Sequence, residues 1–402
     1  MSGDEVGRGW EGLADEAAAL RAGGLWRELR RVEGRDGGSL ELEGRTVAGF
    51  ASNDYLGLAE AAEVVAALKE GIEVWGAGAG ASRLVCGTFA PHEELEAVLA
   101  RAKGVEGVLV FGSGFAVPMG VIPALVGPGD TVILDKLSHA CLVDAAKLSG
   151  ATLRVFPHNH LGKLERLLAT AKGRVLVVTE SVFSMDGDRA VLREMVELKE
   201  RFGAWLLVDE AHAFGVVGPG GRGLVAELGL EGRVELQMGT LSKAVGLSGG
   251  YVAGRREVMN WLINRARSFI YSTAVPPFLA HAARVAVELM LGEEGERRRV
   301  RLRENVALFR RLMGLEEELF SSAIVPVIVG GERAAVAMSE RLRAAGYWIP
   351  AIRYPTVARG AARLRVTLTA LHEAVEIEGL AAGFGQAMAE LGGGEFTEES
   401  AG

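Results

Sequence analysis

Lys243, Asp209 and His212 are the residues of this 402-residue chain whose types and spacing could do chemistry together. Lys243 stands in TLSKAVGLSGGYVAG (240–254), after the β-prone segment Glu235 to Gly239 and ahead of glycines that let another group approach the backbone closely. A lysine in so apolar a turn is poorly solvated, and desolvation favours the neutral amine, the form that adds to a carbonyl carbon. Asp209 lies in WLLVDEAHAFGVVG (205–218), at the end of an apolar run where a carboxylate is costly without a partner. The cationic nitrogen of a bound heterocycle would be such a partner, and His212 can reach the same ligand from another side. Each has a plainer alternative: a surface-loop lysine, an aspartate that caps the next turn, and a histidine satisfied by backbone.

Further junctions carry candidate groups. DKLSHACLVDAA (135–146) puts His139 at a helix start, with Ser138 as the expected N-cap, where an imidazole could stack flat on an aromatic ligand. TESVFSMDGD (179–188) sets Glu180 and Ser184 where a strand passes into a loop, although its MDGD portion could be a simple turn. FGSGFAV (111–117) follows the strand-like VLVF and opens a helix, so the backbone N–H groups of Ser113, Gly114 and Phe115 could cradle a phosphate there. GAGAGASRLVCGT (76–88) lacks the GxGxxG spacing and has no strand feeding it, which argues against a dinucleotide fingerprint and for a flexible substrate-side loop. Taken together, these groups have one economical explanation, pyridoxal 5′-phosphate. Its aldehyde would join Lys243, its ring nitrogen Asp209, and its phosphate the Ser113–Phe115 turn and Thr240.

The elements that must position these groups alternate. VLVF (108–111), TVILD (131–135), RVLVVTE (174–180) and WLLVDEAH (205–212) read as buried strands. The helix-period stretches Ser138 to Leu148, Leu161 to Ala171 and Leu192 to Phe202 lie between them. That alternation predicts an α/β fold, a mostly parallel central sheet with helices on both faces, whose ligands sit beyond the carboxyl ends of the strands. Residues 1–50 read as an N-terminal arm with a helix and a short hairpin, 51–290 as a large cofactor-binding domain, and 291–392 as a smaller C-terminal α+β domain. Residues 393–402 read as a disordered tail.

Composition excludes several classes. The net charge of −8, with no basic stripe, argues against nucleic-acid binding. No run approaches the roughly 20 apolar residues that span a bilayer, and the N-terminus is acidic rather than signal-like. Cys86 and Cys141 form no CxxC pair and no metal-ligand cluster, which fits a reducing cytosol and no metal site.

The motifs SNDYLGLA (52–59), GASRLVCGT (80–88), DKLSHACL (135–142), TESVFSMDGD, VDEAHAFGVVG (208–218) and TLSKAVG (240–246) resemble the α-oxoamine synthases, a family of fold-type I pyridoxal-phosphate enzymes, over nearly the full chain. The resemblance implies that Lys243 binds the cofactor covalently and later moves the substrate Cα proton. Asp209 would pair with the ring nitrogen, His139 stack on the ring and His212 bond the ring hydroxyl. Glu180 and Ser184 would lie close to the cofactor, with Ser113, Gly114, Phe115 and Thr240 at its phosphate. Thr273 would reach the phosphate of a neighbouring subunit, since family members are homodimers with shared sites.

The same resemblance puts Asn53 and Arg365 at the amino-acid substrate, and Arg27 and Thr356 on the acyl-CoA side. Residues 346–373 most resemble the branch that condenses alanine with a pimeloyl thioester on the way to biotin. A glycine-using acetyltransferase and a synthase of broad acyl-CoA preference are the alternatives, and a nicotinamide dehydrogenase is the rival from another class. Two departures stand out. Pro118 replaces a usual polar residue near the phosphate turn, and Ser82 replaces a threonine of the glycine-using relatives, which favours alanine.

Overall fold

Alternate residues of the central strands belong to two different apolar layers, and that period of two builds the centre of the fold. The computed structural model describes residues 10–315, 320 and 322–391; the expected tail 393–402 lies outside the described residues. Three strands come first, β1 (Val32–Asp36), β2 (Ser39–Leu42) and β3 (Arg45–Gly49). The large sheet follows, from β4 (Gly107–Phe111), β5 (Thr131–Asp135), β6 (Thr152–Phe156), β7 (Val175–Glu180), β8 (Trp205–Asp209), β9 (Leu236–Thr240) and β10 (Gly250–Gly254). Its strand order is β4-β10-β9-β8-β7-β5-β6. Val108, Val110, Ile133, Val177, Leu206 and Val208 face one layer, with helices Ala90–Lys103, Leu192–Arg201 and Pro277–Leu291. Leu109, Phe111, Leu134, Val178 and Leu207 face the other, with helices Ala116–Leu125 and Ala140–Ser149.

Neighbours from β9 to β6 run parallel, whereas β10 runs antiparallel to both β4 and β9. Sequence reading misses β10, because its residues look like the tail of the glycine-rich lysine turn. They are fully buried between two strands instead. It also misses β6, a half-exposed edge strand with only a weak apolar signal. The run WLLVDEAH ends as a strand at Asp209 and then turns.

The C-terminal residues form a second antiparallel sheet, β11 (Ile324–Gly330), β13 (Ala351–Ile352) and β14 (Ala362–Thr367), in the order β11-β14-β13. The two-residue strand β12 (Tyr347–Trp348) leaves this unit and pairs parallel with β3, so the N-terminal strands share a sheet with the C-terminal part of the chain. The segment after β3 is tied to β14 and its exit, through Thr367 N to Phe50 O (2.9 Å) and Ala370 N to Tyr55 O (2.8 Å). This threading carries Asn53 and Tyr55 to the large sheet. Among the described residues no helix is long and apolar enough to cross a membrane, and no cluster of His, Cys, Asp or Glu could hold a metal ion.

An ion pair anchors the C-terminal end of the central strand β8. Lys103, at the end of helix Ala90–Lys103, meets Glu210, the residue after β8, with both side chains fully buried. Lys103 Nζ also donates to Arg222 O at 2.8 Å, and Glu210 Oε1 accepts from Val225 N at 3.0 Å. Gly223 (φ +101°) passes so close to the Glu210 carboxylate that a Cβ there would sit 2.5 Å from it. A buried pair contributes little net stability, yet removing one partner strands the other charge. Lys103→Met should therefore destabilise the protein by about 3–5 kcal/mol in urea unfolding, and adding Glu210→Leu should restore most of the loss. A double variant no better than the single one would contradict this account.

Candidate active site

Three strands end side by side with polar residues. Glu180 and Asp209 are register partners on β7 and β8, and Thr240 closes β9. The turn that follows β9 is closed by Leu241 N to Gly249 O (3.0 Å) and Gly246 N to Lys243 O (2.8 Å). Gly246 has φ +77°, and a Cβ on it would lie 2.4 Å from Ala59 N, so a larger residue would push the turn away. Held this way, Lys243 Nζ lies 2.7 Å from Nε2 of the buried His212. Burial lowers the lysine pKa to about 8, against the opposing pull of Asp209 and Glu180. His212 is driven well below its usual range by burial and by Lys243.

The carboxylates answer the same electrostatics. Burial raises the Asp209 pKa while Lys243 pulls it down, and one Asp209 oxygen accepts from Ala211 N at 2.9 Å. Burial and Asp209 push Glu180 up to about 8. Glu180 Oε1 accepts from His139 N at 2.5 Å, so this side chain acts on the backbone that presents His139. The helix after that backbone is Ala140–Ser149, and its N-cap is His139 rather than the expected Ser138. His139 Nδ1 accepts from Cys141 N at 3.3 Å and lies 3.0 Å from Cys141 Sγ, and the residue stays exposed.

The expected phosphate turn lies between β4 and helix Ala116–Leu125, against Thr240 and β10. A Cβ on Gly114 would sit 3.1 Å from Thr240 Cβ, and one on Gly250 2.6 Å from Ser113 O. Ser113 Oγ accepts from Ala116 N at 3.1 Å, whereas the N–H groups of Gly114 and Phe115 make no hydrogen bond among the described residues. Two free amides at a helix N-terminus suit an anion. Pro118 falls in the first turn of that helix, where no intrahelical N–H is needed, so it breaks nothing. A lysine of low pKa, a buried carboxylate within its electrostatic reach, an exposed imidazole and an anion cradle together fit pyridoxal 5′-phosphate.

The second sheet reaches in from the side. Arg365 of β14 donates to Asn53 Oδ1 (3.2 Å), Thr367 Oγ1 (2.9 Å) and the carbonyl of Ser184, and Arg363 pairs with Asp186 of the same loop. Arg27 and Thr356, 329 positions apart, meet at 3.3 Å, and Arg353 holds the carbonyls of Gly24 and Trp26 beside them. Ser82 and Thr273 form a β-bridge backed by Ala274 N to Ala81 O (3.0 Å). No hydrogen bond among the described residues joins that pair to the Lys243 cluster. The loop 76–88 follows a helix, Ala62–Trp75, and not a strand.

Sequence reading misses Tyr55, whose hydroxyl lies 2.5 Å from His212 Nδ1, since 157 positions separate the two. It also misses His158. This ring sits 3.0 Å from Asp135 Oδ1 and 2.6 Å from Asp188 Oδ2, and so ties β5 to the loop that carries Ser184. Asp135 is thereby consumed at the end of β5, where it also holds Leu137 N and Asn159 N.

Comparison with known proteins follows the same lines. The family described as aminotransferase class I and II matches residues 45–384. The 8-amino-7-oxononanoate synthase of Herminiimonas arsenicoxydans is 45% identical over 379 residues, 92% of this chain and 98% of that protein. That of Geobacter sulfurreducens is 46% identical over 385 residues, 94% and 98% of the two chains. A serine palmitoyltransferase variant from S. paucimobilis, solved with a bound PLP–myriocin aldimine, superposes with a TM-score of 0.89 at 31% identity, covering 95% of this chain and 98% of that one.

The His158 clamp gives a pH test. Burial lowers its pKa, but the hydrogen bonds and charges of Asp135 and Asp188 outweigh burial and raise it to about 10. An unfolded histidine releases its proton near 6.5. The clamp's contribution is thus fully present below about pH 6.5 and lost as pH rises through about 10. The urea midpoint of the wild type should fall over that window, and His158→Gln should flatten this part of the profile. Parallel profiles for the two proteins would remove the clamp from the account.

Proposed function

The chain belongs to the aminotransferase class I and II family, and from that premise we propose that it is an 8-amino-7-oxononanoate synthase, joining L-alanine to a pimeloyl thioester with release of CO2 and CoA in biotin formation. The observation that carries this reading is Lys243 Nζ, held 2.7 Å from His212 Nε2 and within electrostatic reach of the buried carboxylates Asp209 and Glu180. The cofactor is pyridoxal 5′-phosphate, which supplies an aldehyde for amines to add to and a heteroaromatic ring that takes up the electron pair left at the substrate Cα. Lys243 would hold its aldehyde carbon, Asp209 its ring nitrogen, His212 its ring hydroxyl and His139 its face. The phosphate falls to the free amides of Gly114 and Phe115, with Ser113 and Thr240. Glu180 and Ser184 support this set, Glu180 by fixing the backbone of His139.

The remaining chemistry belongs to the chain's own groups. A lysine titrating near 8 is a competent base at neutral pH, so the Lys243 amine removes the Cα proton of the amino acid. Arg365, fixed by Ser184 O, Asn53 and Thr367, presents a guanidinium for the substrate carboxylate. Asn53, beside it, orients that carboxylate. The Arg27–Thr356 contact lies on the acyl side, where it would receive the thioester substrate. Ser82 leaves room for the methyl group of alanine, a preference on the order of 1–3 kcal/mol over a bulkier neighbour.

Two copies of the chain complete the site in this reading. Leu84, Val85, Phe115 and Tyr271 are exposed apolar side chains close in sequence to Ser82, Ser113 and Thr273. A second copy would cover them and bring Thr273 to its partner's phosphate. The two free cysteines suit a reducing cytosol.

Mass spectrometry of the product from alanine or glycine with pimeloyl-, acetyl- and succinyl-CoA tests the substrate. The 8-amino-7-oxononanoate product should dominate, and a preference for glycine with acetyl-CoA would move the protein to another branch. Asp209→Asn should lower turnover by at least ~10²-fold with little change in the urea midpoint. Light scattering should give a mass about twice 42.5 kDa, with Thr273→Ala weakening cofactor retention. A monomer that retains the cofactor fully would exclude the shared site.

A further inference from the structure

Tyr55 is fully buried and takes no part in the roles assigned to Lys243, His212 and Arg365. Its hydroxyl has two neighbours, His212 Nδ1 at 2.5 Å and Asn53 Oδ1 at 3.2 Å. A phenol has a single hydrogen to donate. Asn53 Oδ1 already receives a guanidinium N–H from Arg365 at 3.2 Å, whereas His212 Nδ1 has no other partner among the described residues. Burial pushes both groups toward their neutral forms, the phenol upward and the imidazole downward. His212 thus carries one ring hydrogen, and what Tyr55 does decides which nitrogen bears it.

We propose that Tyr55 is a positioning residue, whose hydroxyl donates to His212 Nδ1 and thereby fixes the ring hydrogen on Nε2, the nitrogen that faces Lys243. The hydrogen bonds close on this choice when Lys243 is neutral or covalently attached. Nε2–H then donates toward the neutral amine of Lys243, 2.7 Å away, or toward an acceptor of the bound cofactor. The reverse tautomer would leave a bare, buried Nε2 beside any Lys243 that has lost its hydrogens to covalent attachment. His139 is held in the same sense, with Nδ1 accepting from Cys141 N and its Nε2 left to donate. The hold on Tyr55 is rigid, because its carbonyl accepts from Ala370 N at 2.8 Å and its ring packs at 6.1 Å from that of His212.

The inference rests on Lys243 and His212 being the cofactor-facing pair, and its test separates the two ideas. The full-length, cofactor-loaded protein is labelled with isotopic nitrogen in histidine, and the His212 signals are identified by their loss in His212→Asn. The nitrogen chemical shifts should show Nδ1 bare and Nε2 bearing hydrogen in the wild type. Tyr55→Phe should mix or invert the two forms and move the pH midpoint of the bound cofactor's visible absorbance. It should also lower kcat by about 10-fold while the KM for the amino acid changes little. A wild-type Nδ1–H tautomer overturns the proposal by itself, whether or not Tyr55→Phe folds. Unchanged histidine signals in Tyr55→Phe overturn it too, even if that variant is less stable. Failure to form the expected product, with the tautomer as stated, would count against the substrate reading and leave Tyr55 in place.

Discussion

Two carboxylates buried side by side at the ends of parallel strands set the terms for the rest of the structure. Glu180 and Asp209 are brought level by the β7–β8 register, and neither can keep its charge there without a cation near by. Lys243 supplies that cation while it is protonated, and burial lowers its pKa to about 8, which brings its neutral amine within reach as well. Lys243 and Glu180 are thus both drawn to a pKa of about 8, while Asp209 is raised by burial and lowered by Lys243. A general base working at neutral pH needs that condition. His212 and the backbone of His139 complete the arrangement by taking the remaining polar contacts.

Around this charge cluster the chain relies on close backbone approach. Gly114 and Gly250 let the turn after β4 pack against Thr240 and β10 with no side chain between them, and Gly246 seats the lysine turn on the segment 58–59. Fully buried Lys103 and Glu210 fasten the far side of β8 to a helix, one residue beyond Asp209. The second sheet contributes through two arginines on one face of β14. Arg363 and Arg365 both grip the loop 184–186, so that loop and the Arg365 guanidinium are tied to β14 together.

The sequence showed the centre of the fold clearly and its margins poorly. β5, β7 and β8 stand out as apolar runs because both of their faces are buried. β10 does not, because its glycines serve the turn as well as the strand, and β6 does not, because an edge strand has little need of apolar residues. The N-cap at His139 in place of Ser138 is a local choice that depends on the Glu180 carboxylate accepting from the His139 amide. Ser138 Oγ is buried without a partner, and nothing in the structure explains why.

Sequence by itself singled out Lys243, Asp209, His212 and the Ser113–Phe115 turn, because each lies at or just past the end of a strand. The motifs in which they lie determined the family. Only the tertiary structure showed which distant side chains touch one another. Tyr55 finds His212 across 157 positions, Asn53 finds Arg365 across 312, and Arg27 finds Thr356 across 329. Periodicity reports whether a side chain is buried, since burial follows from the local element. It carries no information about partners, since those are fixed by how sheets and connecting segments pack.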